Sequence, residues 1–352
     1  MRIRAFITHK MAENFSDCQD RFGINSNTRS IAVSDGMGST WQQKIWAQLL
    51  VDTFTDNGEW LPTHESIKPL CNIWHEKVKD FIHNLKDANA PEHMIYRNER
   101  NLAEGRSAGA TFVGIRFDGI NWAGSVLGDS CLIEWNGSEA RFYTSQNGET
   151  FDSYPDYFDS NAEQKGKGTP KPMEGVLTDD SILFMVSDPF SEFLLEGNKQ
   201  GNIVDYLHQL LNISSHDDFE AIVEKWRKKG MHNDDTTLVI IENDGAESIT
   251  IKMKDDINDF IEKERVEKEK VIKEAKPTQK KIQEKGVPMS VTSSAVPPPI
   301  AEPTFIEEFL KECQCAISEK KGRSRELKWR MIKKAAENAF KKMFEKYSII
   351  QK

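Results

Sequence analysis

Aspartates beside small residues, at the ends of apolar runs, are the side chains of this chain most suited to chemistry. In SIAVSDGMGST, residues 30–40, an apolar run stops at Asp35 and Gly36 follows. Other apolar runs are flanked in a similar way by Asp20, by Asp129, by Asp188 and by the pair Asp234 and Asp235. Asp and Gly are common turn residues, so any one of these places favours an ordinary turn. Taken together they predict carboxylates that converge in one cleft.

Converging carboxylates of this kind are suited to bind hard divalent cations. Magnesium and manganese take oxygen ligands from carboxylates, backbone carbonyls and water. A small residue beside Asp35 lets a backbone carbonyl, that of Gly36, reach the same ion as the carboxylate. Two cations about 3.5–4 Å apart can share a water molecule and make it nucleophilic at neutral pH. Hydrolysis of a phosphoester is the natural use of such a pair.

The elements that must position these aspartates alternate between short apolar runs and turn signals. Residues 39–54 and 66–86 have apolar side chains at helical spacing. Asp118-Gly119 and Asn136-Gly137 predict hairpin turns between strands. Strands outnumber helices and the long helices come in groups, which predicts an α+β fold of mainly antiparallel sheets with helices outside. Residues 144–172 lack periodicity and predict a long surface loop.

Charge is spread unevenly over the 352 residues. Residues 1–250 hold 23 Lys and Arg against 39 Asp and Glu, whereas residues 251–352 hold 24 against 17. An acidic main region argues against a nucleic acid substrate, because phosphate backbones need a cationic surface. It suits a site that gathers cations. The asymmetry predicts two regions with different roles.

The N-terminus and the cysteines indicate where the protein works. The first residues lack the apolar segment of a signal peptide, and no apolar run is long enough to predict a membrane span. The five cysteines have no zinc or disulfide spacing, and reduced thiols are the simplest interpretation. We therefore expect a cytoplasmic protein.

The region after residue 250 changes character twice. Residues 251–303 contain a highly charged stretch, predicted to be an exposed helix, and then a Pro/Ser-rich linker. Residues 304–352 contain a basic amphipathic segment, predicted to be a helical tail. Such a tail can dock on its own domain, on a partner or, less favourably, on a membrane surface.

Six short motifs along residues 1 to about 245 carry a resemblance to a known family. In order, they are CQDRF, VSDGMGS, SAGATFVG, VLGDS, MVSDPF and NDDTTLVI. Their order and spacing resemble the metal-dependent, type 2C serine/threonine protein phosphatases, closest to the short bacterial members that read CQD at the first motif. The resemblance implies a four-layer α-β-β-α sandwich of two mainly antiparallel sheets flanked by helices, with a phosphatase-like domain over residues 1–250.

The same resemblance implies the site and its cofactors. It implies two manganese or magnesium ions that activate a water molecule to hydrolyse phosphoserine and phosphothreonine in proteins. Asp35 would bridge both ions and the Gly36 carbonyl would bind one of them. Asp188 and Asp234 would hold the other ion, and Asp20 would act directly or through a water. The remaining implied positions are Asp129 for the third, weaker metal of many members, and Gln19 and Asp235 as outer contacts of the site.

Three departures from the family pattern affect how the substrate is held. Many members have an arginine before the first motif that grips the phosphate, and here Arg4, Lys10 or Arg21 could substitute. Met37 stands where many eukaryotic members have a histidine that is a candidate general acid. Pro189 follows Asp188 where a glycine is usual, so the local turn must differ.

Two alternatives remain open at the level of sequence. The chain could be a catalytically weak or inactive phosphatase-fold module that binds a phosphoprotein or a kinase as a regulator. Its tail could also recruit a serine/threonine protein kinase, since short bacterial members often belong to kinase–phosphatase systems. No HExxH or CxxC spacing and no P-loop occurs, so no motif supports zinc binding or nucleotide hydrolysis. His232 is either an ordinary loop residue or an outer neighbour of the metals.

Overall fold

The computed structural model describes residues 1–146, 155–163, 166–246 and 248–283, and residues 1–280 form one compact unit. The predicted Pro/Ser-rich linker and the predicted tail over 304–352 lie outside the described residues. Among the described helices, none has the length and apolar character that crossing a bilayer requires.

Strands make two large sheets and one small one. The strands are β1 Arg2–Thr8, β2 Arg21–Asn25, β3 Ser30–Ser34, β4 Gly109–Ala110, β5 Phe112–Asp118, β6 Asn121–Leu127, β7 Cys131–Trp135, β8 Ala140–Tyr143, β9 Phe158–Asp159, β10 Lys171–Val176, β11 Ile182–Val186, β12 Thr236–Glu242 and β13 Thr250–Lys254. The first sheet has the order β13-β1-β12-β11-β7-β8, the second β10-β6-β5-β3-β2, and β4 pairs with β9. Among the described strands, β1 with β13 is the parallel pair and the rest pair antiparallel.

Helices cover the outer faces of both large sheets. The described helices are α1 Gln43–Asp56, α2 Lys68–Asp87, α3 Glu92–Ala103, α4 Asp188–Lys199, α5 Ile203–Leu211, α6 His216–Arg227 and α7 Ile257–Gln283. Trp46 of α1 and Trp74 of α2 pack with Phe112 of the second sheet. Phe190 of α4 and Trp226 of α6 pack against the first sheet. Each such buried large side chain contributes about 1.5–3 kcal/mol to folding.

A third core lies between the two sheets. It is built from Ile3 and Leu183 of the first sheet and Val113 and Met173 of the second. With the two helix-covered faces, this makes four layers in the order α, β, β, α. The predicted fold class and the predicted hairpins are therefore confirmed, and Gly119 and Gly137 in the hairpin turns both have positive φ.

Four elements were not predicted from the sequence. Helix α3 has no buried residue, and the stretch predicted to be a long loop contains β9 and the start of β10. Strand β13 crosses the predicted boundary at residue 250 and adds an edge strand beside β1. The charged helix that was predicted after it is present as α7.

Candidate metal centre

The strand-end aspartates meet at the edge where both large sheets end. Asp20 precedes β2 and Asp35 follows β3, while Asp129 lies between β6 and β7. Asp188 begins α4 directly after β11, and Asp234 lies just before β12. A cleft of about 390 Å³ opens here, which we call the acidic cleft. It is lined by Gln19, Asp35, Gly36, Met37, Gly38, Ser39, Asp129, Pro155, Asp188, Glu192, His232 and Asp234.

Asp20 is fully buried next to this lining rather than within it. Its Oδ2 accepts a hydrogen bond of 2.8 Å from the Thr237 hydroxyl, whereas its Oδ1 has no hydrogen-bond partner among the described residues. Burial, together with the charge of Asp235, raises the pKa of Asp20 to about 7. A buried carboxylate oxygen with no donor is costly unless a cation neutralises it.

The other carboxylates of the cleft show the same crowding. Burial, with a further contribution from Glu192, raises the pKa of Asp129 to about 7, and one of its carboxylate oxygens also has no partner within the described part of the chain. Burial raises the pKa of Asp35 well above its ordinary value, and the charges of Asp188, Asp20 and Asp129 raise it further. Burial and Asp129 act in the same way on the pKa of Asp188. These side chains repel one another, so the cleft fits the divalent cations that its oxygen donors would bind.

His232 joins two of these aspartates on one wall of the cleft. One ligand atom each from Asp188, His232 and Asp234 lie within 4.8 Å of one another, close enough to share one cation. His232 is exposed, and its ring nitrogens add a donor type that the carboxylates lack.

Buried hydroxyl groups hold Asp35 in place. The Asp35 N–H donates to Thr111 Oγ1 at 3.2 Å, and the Thr111 N–H donates back to the Asp35 carbonyl at 2.9 Å. The Thr111 hydroxyl is also 2.7 Å from the Ser130 hydroxyl, beside Asp129. The turn that carries Asp35 is therefore attached to the turn that carries Asp129.

A second set of hydroxyls links α4 to its neighbours. Ser187 Oγ accepts a hydrogen bond of 2.9 Å from the Thr237 N–H, and Thr237 in turn binds Asp20. Ser191 Oγ, in the first turn of α4, donates to the Asp129 carbonyl at 2.6 Å. Asp188 is the first residue of α4, and Pro189 in that turn lacks only an N–H that the helix leaves unpaired. The local turn at Asp188 and Pro189, which was expected to differ from the family pattern, is thus the first turn of a helix that begins directly after β11.

Gly36 occupies a position with little room for a side chain. A Cβ there would lie 3.1 Å from the Gln19 carbonyl oxygen and 2.9 Å from Gln43 Cγ. The glycine therefore lets the chain pass close to Gln19.

Asp235 and Gln19 are joined through the backbone. The two Asp235 carboxylate oxygens accept hydrogen bonds from the Lys10 N–H at 2.9 Å and from the Gln19 N–H at 2.7 Å. Asp235 thus fixes both ends of the loop between β1 and β2 against the cleft. The Gln19 side chain lines the cleft, next to Gly38.

The three basic side chains suggested for gripping phosphate lie in different places. Arg4 donates to the carbonyls of Leu211 and Ile213, away from the cleft, and Arg21 donates to the carbonyls of Cys18 and Asp20. Lys10 Nζ lies 3.6 Å from Asp234 Oδ1 and 3.4 Å from Glu13 Oε1. Burial lowers the pKa of Lys10, but Asp234 and Glu13 outweigh it and raise the pKa above its ordinary value. Lys10 is the one of the three that lies beside a lining residue of the cleft.

A four-layer α-β-β-α protein with a cation-seeking cleft at the edge of its sheets is the class that this geometry defines. Residues 10–226 match the profile of a family described as protein phosphatase 2C. The match covers more than half of the chain, so this chain belongs to the protein phosphatase 2C family.

Several solved bacterial phosphatases are similar to this chain at low identity. The serine/threonine phosphatase of S. agalactiae has 15% identity over 68% of this chain and 99% of its own, with a TM-score of 0.43. The serine/threonine phosphatase PstP/Ppp of Mycobacterium tuberculosis has 14% identity over 69% and 99%, with a TM-score of 0.41. A PstP catalytic domain in complex with two manganese ions has 14% identity over 71% and 98%, also with a TM-score of 0.41. No curated protein matches the chain.

Sequence reasoning missed several residues of the cleft. Glu192 lies one turn after Asp188 on α4 and lines the cleft, but its sequence context is that of an ordinary helix. Thr111, Ser187 and Ser191 are buried hydroxyls whose roles depend on contacts between distant strands. The available signal was their position within or next to the motifs that carry the aspartates.

Proposed function

We propose that this chain hydrolyses phosphoserine and phosphothreonine in proteins with the help of two manganese or magnesium ions. The observation that carries the proposal is a pair of buried carboxylate oxygens, on Asp20 and Asp129, that find no hydrogen-bond partner in the described ranges of the chain. They lie at a cleft where burial and neighbouring charges raise the pKa values of the aspartates. Membership of the protein phosphatase 2C family supports the substrate class.

The residues of the cleft divide between the two ions in our proposal. Asp35 would contact both ions, and the Gly36 carbonyl would bind one of them. Asp188 and Asp234 would hold the other, with His232 close enough to contribute a nitrogen. Asp20 would support the ions directly or through a water, and Asp129 is available to a third ion.

The chemistry needs few further groups from the protein. When bound, two such ions lower the pKa of a water molecule and neutralise charge on a phosphoryl group. Lys10, at the Asp234 end of the cleft, would hold a phosphate oxygen of the substrate, and the Gln19 side chain would line its path. In this proposal a water would attack phosphorus directly, the serine or threonine oxygen would leave and take up a proton from water, and no phosphoenzyme would form.

The test is manganese-dependent release of phosphate from a phosphoserine peptide by the full chain. Asp35→Asn and Asp188→Asn should each lower the rate about 100-fold or more, since even outer partners of metal ligands cost 10- to 100-fold. Asp205→Asn on the exposed face of α5 is the matched control and should keep the wild-type rate. Near-ultraviolet circular dichroism should show the same folded state for all three variants.

One observation favours a second candidate, a phosphatase fold that binds a phosphoprotein or kinase without efficient hydrolysis. Among the described residues that line the acidic cleft, none is an arginine or a lysine. Calorimetry with manganese, paired with an assay on p-nitrophenyl phosphate, separates the two candidates. A regulatory module would bind the peptide yet release no phosphate from either substrate.

A further inference from the structure

The loop between β1 and β2 carries Lys10, the residue proposed to hold the substrate phosphate. Residues outside the loop stabilise its conformation. We call residues 9–19 the Lys10 loop. Its two ends are attached to Asp235, and the Met11 N–H donates to Asn233 Oδ1 at 2.9 Å. Ala12 within the loop has φ of 71°, a left-handed conformation that costs a non-glycine residue about 1–2 kcal/mol. Contacts elsewhere must hold the middle of the loop in this conformation.

Helix α7 supplies those contacts. The ring of Phe15, at the middle of the Lys10 loop, is buried and stacks on the ring of Phe260 with centroids 4.5 Å apart. The Phe15 N–H donates to Glu264 Oε1 at 3.1 Å, and Lys268 Nζ donates to Asn14 Oδ1 at 3.0 Å. Three successive turns of α7 therefore contact the loop.

The start of α7 is itself anchored to the sheet that carries the loop. Asp255, between β13 and α7, is buried and accepts hydrogen bonds from the Ile7 N–H at 3.0 Å and from His216 Nδ1 at 2.8 Å. The His216 ring lies 4.4 Å from the Phe260 ring. Strand β13 pairs in parallel with β1, the strand that leads into the loop. Helix α7 and the Lys10 loop are therefore both anchored to β1.

Within this support, His216 belongs to the part of the chain that matches the family, whereas the contacts from α7 do not. The match ends at residue 226, whereas β13 and α7 begin at residues 250 and 257. We infer that α7 is a positioning element of the phosphatase site, in which Phe260 and Glu264 hold the Lys10 loop so that Lys10 meets the substrate phosphate. This inference rests on the proposed function.

The physical reason is preorganisation. Lys10 is a long side chain on a loop with a left-handed residue, and ordering both on substrate binding would cost conformational entropy. Contacts from α7 hold the loop before the substrate arrives, which is how supporting residues improve a site without touching the substrate. Loss of these contacts should weaken binding of phosphate and leave the metal ligands in place.

The experiment compares full-chain variants loaded with manganese. Phe260→Ala and Glu264→Ala should raise the KM for a phosphoserine peptide and the inhibition constant of inorganic phosphate about three- to tenfold. Their kcat and their manganese dissociation constants should stay within about twofold of wild type, as expected for loss of uniform binding. Trypsin should also cleave after Lys10 faster in both variants, a measurement that does not depend on activity.

Two further variants separate positioning from general destabilisation. Phe260→Tyr keeps the ring and should give wild-type constants, and Glu267→Ala, on an exposed part of α7, should behave as wild type. The inference is overturned if Phe260→Ala and Glu264→Ala keep wild-type phosphate constants, or if kcat, KM and the melting temperature all change together. If the wild type releases no phosphate, the proposed function fails. Trypsin cleavage and calorimetry with inorganic phosphate then still decide the role of α7.

Discussion

The Asp129 carboxylate lowers the stability of the folded protein when no cation is bound. It is buried, one of its oxygens has no partner among the described residues, and Glu192 adds further negative charge nearby. A residue chosen for stability alone would be neutral at this position. Residues that reduce stability in this way are typical of functional sites.

Neutralising Asp129 should therefore stabilise the metal-free protein. In Asp129→Asn we expect the free energy of unfolding to rise by about 1 kcal/mol in the presence of a chelator, because the raised pKa reports an unfavourable charge. Added manganese should then stabilise the variant less than wild type. Urea unfolding with and without manganese measures both effects, with Asp118→Asn at the exposed end of β5 as the control. A metal-free variant less stable than wild type contradicts the account.

Substitution of His232 tests whether the ion held by Asp188 and Asp234 also has a nitrogen ligand. If its ring nitrogen is a ligand, His232→Ala should weaken manganese binding about tenfold, within the range seen when a metal site loses a supporting contact. Pulsed electron paramagnetic resonance of bound manganese should show ¹⁴N coupling in wild type and none in the variant. His75→Ala, exposed on α2, is the control. Unchanged affinity together with no ¹⁴N coupling in wild type would show that oxygen ligands suffice.

At the level of elements, the junctions between strands and their neighbours explain the site. The first turn of α4 gives Asp188 a helix N-terminus, whose partial positive charge favours a carboxylate. The hydroxyls of Ser187 and Ser191 then connect this turn to β12 and to the Asp129 turn. A buried hydrogen bond contributes about 1 kcal/mol, so these contacts determine where the carboxylates meet.

The contact between α6 and the start of α7 should respond to pH. Burial lowers the pKa of His216, but hydrogen bonds to Asp255 and Glu220 outweigh it and raise the pKa to about 9. Because the folded-state pKa is higher than the ordinary value of 6.5, the charged histidine stabilises the fold fully below about pH 6.5, and this contribution is lost as pH rises through about 9. The difference in unfolding free energy between wild type and His216→Gln should therefore shrink over that window. Urea unfolding at several pH values measures it, and a difference that does not change with pH contradicts it.

The elements that could be predicted from the sequence are those with a clear pattern of burial. Strands β1, β3, β11 and β12 consist mostly of buried residues, and α2 has apolar residues at regular helical spacing. Strand β13 was missed because its side chains are half-buried or exposed and include lysines, as suits a sheet edge. Helix α3 buries no side chain, and its short, mainly polar sequence was not recognised as a helix.

Only those site residues that lie in turns at the ends of apolar runs could be predicted from the sequence. Five aspartates and Gly36 were identified because carboxylates beside small residues stand out at the ends of apolar runs, and the structure brings them to one edge. The placement of Lys10 and His232 could not be deduced in this way. Each lies on a loop whose path is set by contacts with distant residues, such as Asp235 and Phe260.

For the whole molecule, the β13–α7 extension connects the phosphatase fold to the region that follows it. Strand β13 joins the first sheet, and α7 continues from it past the Lys10 loop. The acidic charge belongs to residues 1–250, while residues 251–352 carry a net positive charge. This division predicts that catalysis lies in the first region and recruitment of a partner in the second.

Removing residues 304–352 tests that division. Hydrolysis of p-nitrophenyl phosphate should stay within about twofold of wild type, while dephosphorylation of an autophosphorylated serine/threonine kinase from the same organism should slow about tenfold, because a tethered substrate has a high effective concentration. Parallel assays on the two substrates measure the ratio. Equal losses on both substrates would show that these residues support the phosphatase unit itself.

The central claim is tested most directly by measuring phosphate release from a phosphoserine peptide while manganese is titrated into the metal-free full chain. The account predicts no release without metal, a rise that follows manganese binding, and loss of that rise in Asp35→Asn. Manganese binding without any release, or release that is the same with and without metal, would contradict it.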